Sequence, residues 1–310
     1  MSTRELVVLG TASQVPTRHR NHNGYLLLWD GVGVLFDPGE GTQRQMVRAG
    51  VSASQIHHVC ITHFHGDHCL GLAGIIQRIS LDGVPHEVSI HYPGSGQAYF
   101  DRLRHASIFL DRSHLRPCPI ERSGVVFDGA FRIEARALEH TVPCFGYRVS
   151  EPDGITMIPE ALAARGIRGR AVRTLIDEGR LRTDDGVVEL ADVSVRRRGQ
   201  SFALAMDTRR CDAAVRLARG VDLLVAESTY LRTHQKEATE RGHMTATDAA
   251  LVARDAGVRR LVLTHFSQRH PRVEDFLHEA RGIHGDVIAA RDGDRVDVPP
   301  RVRADDPRVV

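Results

Sequence analysis

The segment Thr62-His63-Phe64-His65-Gly66-Asp67-His68 puts three imidazoles and a carboxylate within six residues, directly after the apolar run Val59-Cys60-Ile61. In an extended segment alternate side chains share a side, so His63 and His65 point together. The adjacent Asp67 and His68 can then serve a second centre. Nitrogen and oxygen donors without thiolate suit zinc, or manganese and related divalent ions. Three later positions repeat one theme, a metal-competent side chain at the end of an apolar strand: His140, Asp207 and His265. Singly, each reads better as a hydrogen-bonded edge histidine or, for Asp207, a helix N-cap. Together with the first cluster they complete two coordination spheres. His63, His65 and His140 give one ion three nitrogens. Asp67, His68 and His265 give the other an oxygen and two nitrogens, and Asp207 can bridge both. Each ion keeps an open position for one shared water or hydroxide. Such a pair also suits in-line displacement at phosphorus, where attacking and leaving oxygens both need stabilising.

These side chains need strands to carry them. Alternation and turn residues predict strands over 6–9, 25–29, 32–36, 56–61, 88–92 and 145–149, two strands within 125–138, and further strands over 202–206, 223–226, 261–263 and 287–289. Asp30-Gly31 predicts a tight hairpin turn. Helices are predicted over 43–49 with Thr42 as N-cap, then over 70–81, 97–105, 212–218, 245–256 and 273–281. Gly71, Ala73 and Gly74 mark close packing at the start of the second. In layered α/β folds, ligands gather where strands end. Residues 159–198 interrupt the rhythm. There Arg165, Arg168, Arg170, Arg173, Arg180 and Arg182 face only Asp177 and Glu178, and Arg196-Arg197-Arg198 follows. The domain expectation is one catalytic domain over residues 1–298 with a basic arm inserted at 159–198, and a disordered tail over 299–310.

A composition of 42% hydrophobic and 26% charged residues is that of a globular chain with a sizeable core. The net charge of +2 excludes a general polycation, so any nucleic-acid surface must come from local clustering. Five cysteines form no CxxC pair, and no apolar run is long enough to span a membrane. With no signal peptide, a reduced cytoplasmic setting is expected.

The pattern His63-x-His65-x-Asp67-His68 with His140, Asp207 and His265 resembles the metallo-β-lactamase superfamily, which implies an α/β fold: an αββα sandwich of two mixed sheets flanked by helices. Narrower features resemble ribonuclease Z, the family that removes the 3′ trailer of precursor tRNA. Pro16-Thr17-Arg18-His19-Arg20-Asn21 is similar to its Pro-x-Lys-x-Arg-Asn loop, with Arg18 in place of Lys. Phe36 to Gln43, Asp207-Thr208-Arg209, Ala226-Glu227-Ser228-Thr229, His243-Met244-Thr245-Ala246 and Thr264 to Arg269 resemble further family segments in the expected order. The length suits the short, homodimeric form. The resemblance implies two Zn2+ per chain (Mn2+ or another divalent ion as substitute), Asp67 as ligand and proton acceptor, and a tRNA 3′-hydroxyl and trailer 5′-phosphate as products. His243 is the candidate proton donor, oriented by Glu227. Arg18, Arg20 and Asn21 are expected to hold phosphates or the tRNA 3′ end. Arg168, Arg170 and Arg173 are expected to grip the tRNA elbow, although the family's Gly/Pro-rich arm pattern is replaced here by arginines. The competing functions are a hydrolase of a small phosphodiester, sulfate ester or lactone, and an inactive RNA-binding module on the same fold.

Overall fold

Strand faces decide the layering. Leu6 and Val8 of the first strand point to one side, Val7 and Leu9 to the other, and all four are buried. A strand apolar on both faces must lie in an inner layer. The computed structural model describes residues 4–301. The described residues divide into two compact units, one through Ser150 with Ser201–Pro299, the other Glu151–Gln200 with Pro300 and Arg301.

The first six strands are β1 (Arg4–Gly10), β2 (Gly24–Trp29), β3 (Val32–Phe36), β4 (Ile56–Cys60), β5 (Val88–Pro93) and β6 (Leu115–Ile120). Then come β7 (Gly124–Asp128), β8 (Arg132–Leu138) and β9 (Cys144–Ser150). The smaller unit contributes β10 (Gly154–Met157), β11 (Arg180–Thr183), β12 (Gly186–Glu189) and β13 (Ser194–Arg197). The last strands are β14 (Ser201–Ala205), β15 (Leu223–Glu227), β16 (Arg260–Thr264), β17 (Val287–Ala289) and β18 (Arg295–Asp297). Two seven-stranded sheets result, ordered β18-β1-β2-β3-β4-β5-β6 and β17-β16-β15-β14-β9-β8-β7. Each is mixed. β3 to β6 run parallel, as do β14 to β17, while β1, β2 and β18, and β7 to β9, pair antiparallel. Their inner faces share one core, in which Leu6, Tyr25, Val34 and Phe36 meet Ile133, Tyr147, Phe202 and Val225. The outer face of the first sheet packs on Ile75, Ile76 and Ile79 of helix Leu72–Leu81. The outer face of the second packs on Ala249, Ala250 and Ala253 of helix Ala246–Asp255 and on Phe276. These are the four layers of the predicted αββα sandwich.

Local details refine the sequence reading. Asp30 and Gly31 adopt φ of 51° and 90°, the two positive values of a type I′ hairpin turn. Thr42 is not an N-cap. It is the first residue of helix Thr42–Arg48, Gly41 caps it at φ 82°, and the Thr42 hydroxyl donates to the Gly39 carbonyl. The helix predicted over 70–81 runs from Leu72 to Leu81, and a separate short helix, Gly66–Cys69, precedes it across Leu70 and Gly71. A Cβ on Gly71 would lie 2.0 Å from the Gly39 carbonyl oxygen. Gly71→Ala is therefore expected to push two backbones apart beneath the His63–His68 loop and to cost about 1–3 kcal/mol. Denaturant unfolding checks this, and an unchanged midpoint contradicts it. β6 escaped prediction because Pro117 and Pro119 argue against a strand; it is tolerated as a sheet edge.

The smaller unit has helices Pro159–Ala164 and Arg170–Glu178, the pairs β10-β13 and β11-β12, and its own core of Leu162, Ile167, Leu175, Val188 and Val193. Of the tail expected from residue 299, the part from 302 lies outside the described residues, while Arg301 pairs with Glu151. Among the described residues no helix is long and apolar enough to cross a membrane.

Candidate metal centre

Seven side chains arrive at one point from the ends of strands in both sheets. The loop after β4 delivers His63, His65, Asp67 and His68. The loop after β8 delivers His140, the turn after β14 Asp207, and the turn after β16 His265. Asp37, Asp207 and His265 sit at positive φ (44°, 25° and 61°), a conformation costly for non-glycine residues and often found at functional sites.

The donor atoms of these seven side chains form two groups, and Asp207 and His265 also group with His243. His65 Nδ1 lies 2.9 Å from His63 Nε2 and 3.4 Å from His140 Nε2. Asp207 Oδ2 lies 3.6 Å and 3.7 Å from those two Nε2 atoms. In the second group His68 Nε2 lies 3.3 Å from both His265 Nε2 and Asp67 Oδ2, and Asp67 Oδ2 lies 3.5 Å from His265 Nε2. Asp207 Oδ1 faces His265 Nε2 at 3.1 Å and His68 Nε2 at 3.3 Å. Asp207 thus turns one oxygen to each group.

Metal ions fit these residues. Ligands at about 2.0–2.1 Å from a tetrahedral ion lie about 3.3 Å from one another, close to the spacings here. Asp207 Oδ1 is buried without a hydrogen-bond partner, the state of an oxygen shaped for a cation. Burial pushes His63, His65 and His140 below the ordinary imidazole value and keeps their lone pairs available. Burial alone would raise Asp67, but the charges of His68 and His265 outweigh it and hold this carboxyl ionised.

Outer partners fix the rings. His63 Nδ1 meets the Thr62 hydroxyl at 3.0 Å, His140 Nδ1 the Gly242 carbonyl at 2.9 Å and His68 Nδ1 Asp37 Oδ2 at 2.8 Å. His265 Nδ1 meets the Thr229 hydroxyl at 2.7 Å, and that hydroxyl donates to Glu227 Oε2 at 2.6 Å. Glu227 Oε1 takes His243 Nδ1 at 2.9 Å. Burial opposes charge on His243, but Glu227 and Asp207 overcome it and raise its pKa to about 9. Sequence reasoning missed the roles of Asp37 and Thr229. Asp37 ends β3 as the ligands end their strands, so its signal was present. Thr229 gave none.

A cleft of about 630 Å³ opens on His65, Asp67, His140, Asp207, His243 and His265. The loop predicted to hold RNA divides. Arg18 is exposed and lines a second cleft. Arg20 points inward: its Nη1 and Nη2 donate to the carbonyls of His270 and Pro271 at 2.9 Å each, over the Phe266 ring. Asn21 Nδ2 donates to the carbonyls of Glu40 and His22. These bonds within the protein hold the loop, and RNA-binding measurement tests the phosphate contacts expected of both side chains. Arg20→Ala is accordingly expected to cost about 2 kcal/mol of stability while leaving the salt dependence of RNA binding unchanged. A flattened salt slope contradicts this. Arg168, Arg170 and Arg173 are exposed in the smaller unit, Arg173 paired with Asp177 at 2.8 Å.

Residues 33–266 match the beta-lactamase superfamily domain. A ribonuclease Z of Streptomyces avermitilis is 58% identical over 304 residues, which cover 97% of this chain and 100% of that protein. One of Chlamydia trachomatis is 47% identical over 293 residues, covering 94% and 96%. The crystal structure of human tRNase Z, short form, matches with a TM-score of 0.69 at 25% identity, covering 96% of this chain and 100% of that one.

Proposed function

This chain belongs to the ribonuclease Z family of the metallo-β-lactamase superfamily, and from that premise we propose how its own residues do the work. It is a metal-dependent endoribonuclease of tRNA 3′ processing. The observation that carries the detailed reading is Asp207, one oxygen turned to each of two donor groups.

We assign His63, His65 and His140 to one zinc ion, Asp67, His68 and His265 to a second, and Asp207 to both; manganese is the natural substitute. Bound there, the ions would supply a water activated at neutral pH and would neutralise charge on the phosphodiester oxygens. Asp67 accepts the proton of the attacking water. The bond between phosphorus and O3′ of the discriminator nucleotide breaks, and O3′ needs a proton. His243, which lines the cleft, gives it: Glu227 holds Nδ1 and leaves Nε2 as the donor atom. Water adds to phosphorus, so the trailer leaves with a 5′-phosphate and the tRNA with a 3′-hydroxyl. The motifs and length that resemble the short form are the support for reading the chain as a homodimer, and a precursor tRNA substrate is the support for a cytoplasmic location. Residues 1–298 are read as one catalytic domain with 159–198 as its arm, whose Arg168, Arg170 and Arg173 meet RNA phosphates.

The test is incubation with a precursor tRNA carrying a short trailer, beside a chromogenic phosphodiester. Cleavage after the discriminator with those end groups is expected. Turnover of the small ester alone would sink the assignment.

A further inference from the structure

Behind the loop of residues 16–21 lies a second cleft of about 800 Å³, unlike the metal cleft in its charge. Five arginines line it, Arg18, Arg20, Arg44, Arg48 and Arg295, against one carboxylate, Asp292. That carboxylate is satisfied from within, accepting from the Asn21 backbone N–H, the Thr11 hydroxyl and the Gln45 amide. Arg20 is spent on backbone carbonyls, and Arg295 is paired with Glu5 at 2.7 Å. The other three are uncommitted to any acid. Arg18 and Arg44 are exposed and form no ion pair among the described residues, and Arg48 meets only the neutral Gln45 side chain. Arg44 and Arg48 stand one helical turn apart on Thr42–Arg48, so both present to one side. Three exposed guanidinium groups around a concave surface, whose one carboxylate is engaged by Asn21, Thr11 and Gln45, form an anion site of phosphate type.

The cleft is also next to the chemistry. Ser13, Gln14 and Val15 line the metal cleft, and the Gln14 backbone N–H donates to Asp67 Oδ2 at 2.8 Å. Pro16, Thr17 and Arg18, the next residues, line the basic cleft. The backbones of Gln14 and Arg18 are at most about 14 Å apart, a span that a few nucleotides cover. A concavity of about 800 Å³ has room for an unpaired strand, and its place beside the metal cleft favours the trailer as that strand.

We infer that this cleft binds the phosphodiester backbone of the 3′ trailer beyond the scissile bond, with Arg44 and Arg48 as its principal cations. The inference rests on the ribonuclease reading above. It is tested with full-length protein and two precursors, one with a one-nucleotide trailer and one with a twelve-nucleotide trailer. For the Arg44→Ala/Arg48→Ala protein, KM for the long trailer is expected to rise on the order of tenfold. Its salt slope falls by about 1.4, two contacts at about 0.7 each for a single strand. KM for the short trailer and kcat for both stay unchanged, and Arg44→Lys/Arg48→Lys retains most of the effect of the native pair. An equal loss on both precursors would mean that the cleft serves the tRNA body. No change on either would mean a solvated patch. Each result overturns the inference. Binding of a labelled single-stranded twelve-nucleotide RNA to native and double-variant proteins decides the cleft separately. If native protein cuts neither precursor, the ribonuclease reading fails, and this binding difference still stands or falls by itself.

Discussion

Asp207→Asn is expected to lower the rate on precursor tRNA on the order of 10⁴-fold, equivalent to about 5–6 kcal/mol of lost transition-state stabilisation, and to lower metal content at both centres. The reason is the division of one carboxylate between two groups of ligands. Removing a ligand private to one group weakens that group; removing Asp207 weakens both and uncouples them. Asparagine is the better substitution than alanine. Asp207 stands at φ 25°, where asparagine is tolerated and alanine is strained, so Asp207→Ala confounds lost coordination with a disturbed backbone. The measurement is single-turnover cleavage together with metal analysis of the same preparation. Native-like rate with native metal content would dismiss Asp207 as the bridge.

His243→Ala is expected to lower kcat by about 10²–10⁴-fold while the metal content stays full. His243 Nδ1 is engaged by Glu227 and lies 3.9 Å from Asp207 Oδ2, outside the two groups formed by the strand-end ligands. Its loss is therefore expected to remove the proposed proton donor and to leave the two donor groups standing. A substrate with sulfur in place of the bridging O3′ sharpens the test, because a thiolate leaves without a proton at neutral pH. Native protein and His243→Ala should cut that substrate at similar rates. An equal defect on oxygen and sulfur substrates would instead assign His243 to positioning, and a retained rate with full metal would remove it from the mechanism altogether.

What the sequence disclosed, and what it hid, follows from how far each relationship reaches along the chain. The facing of His63 and His65 depends on two-residue periodicity, which is local. His140, Asp207 and His265 were legible because each follows an apolar run that had to be a strand. Asp37 obeys the same rule and was overlooked as a lone acid before a proline and glycine. Arg20 was legible only as a cation. Its inward turn is decided by carbonyls of His270 and Pro271, some 250 residues away, and no local pattern carries that. The core of the smaller unit was hidden among its arginines, since Leu162, Ile167, Leu175, Val188 and Val193 come from five separate short segments.

The ligands enter from both sheets, at positions 63 to 68 and then at 140, 207 and 265. This spread has a consequence for biogenesis. A chain still being synthesised can assemble neither donor group whole until residue 207 has been made for the first and residue 265 for the second. Contacts of such sequence separation form late and slowly in folding. Once the sandwich has closed, an ion bound between the two sheets favours the closed state by mass action, about 2.7 kcal/mol at a hundredfold excess over its dissociation constant. Nuclease competence therefore arrives as a last event, after the structure that must restrain it already exists. Chelation of mature protein should lower the unfolding midpoint as well as the activity.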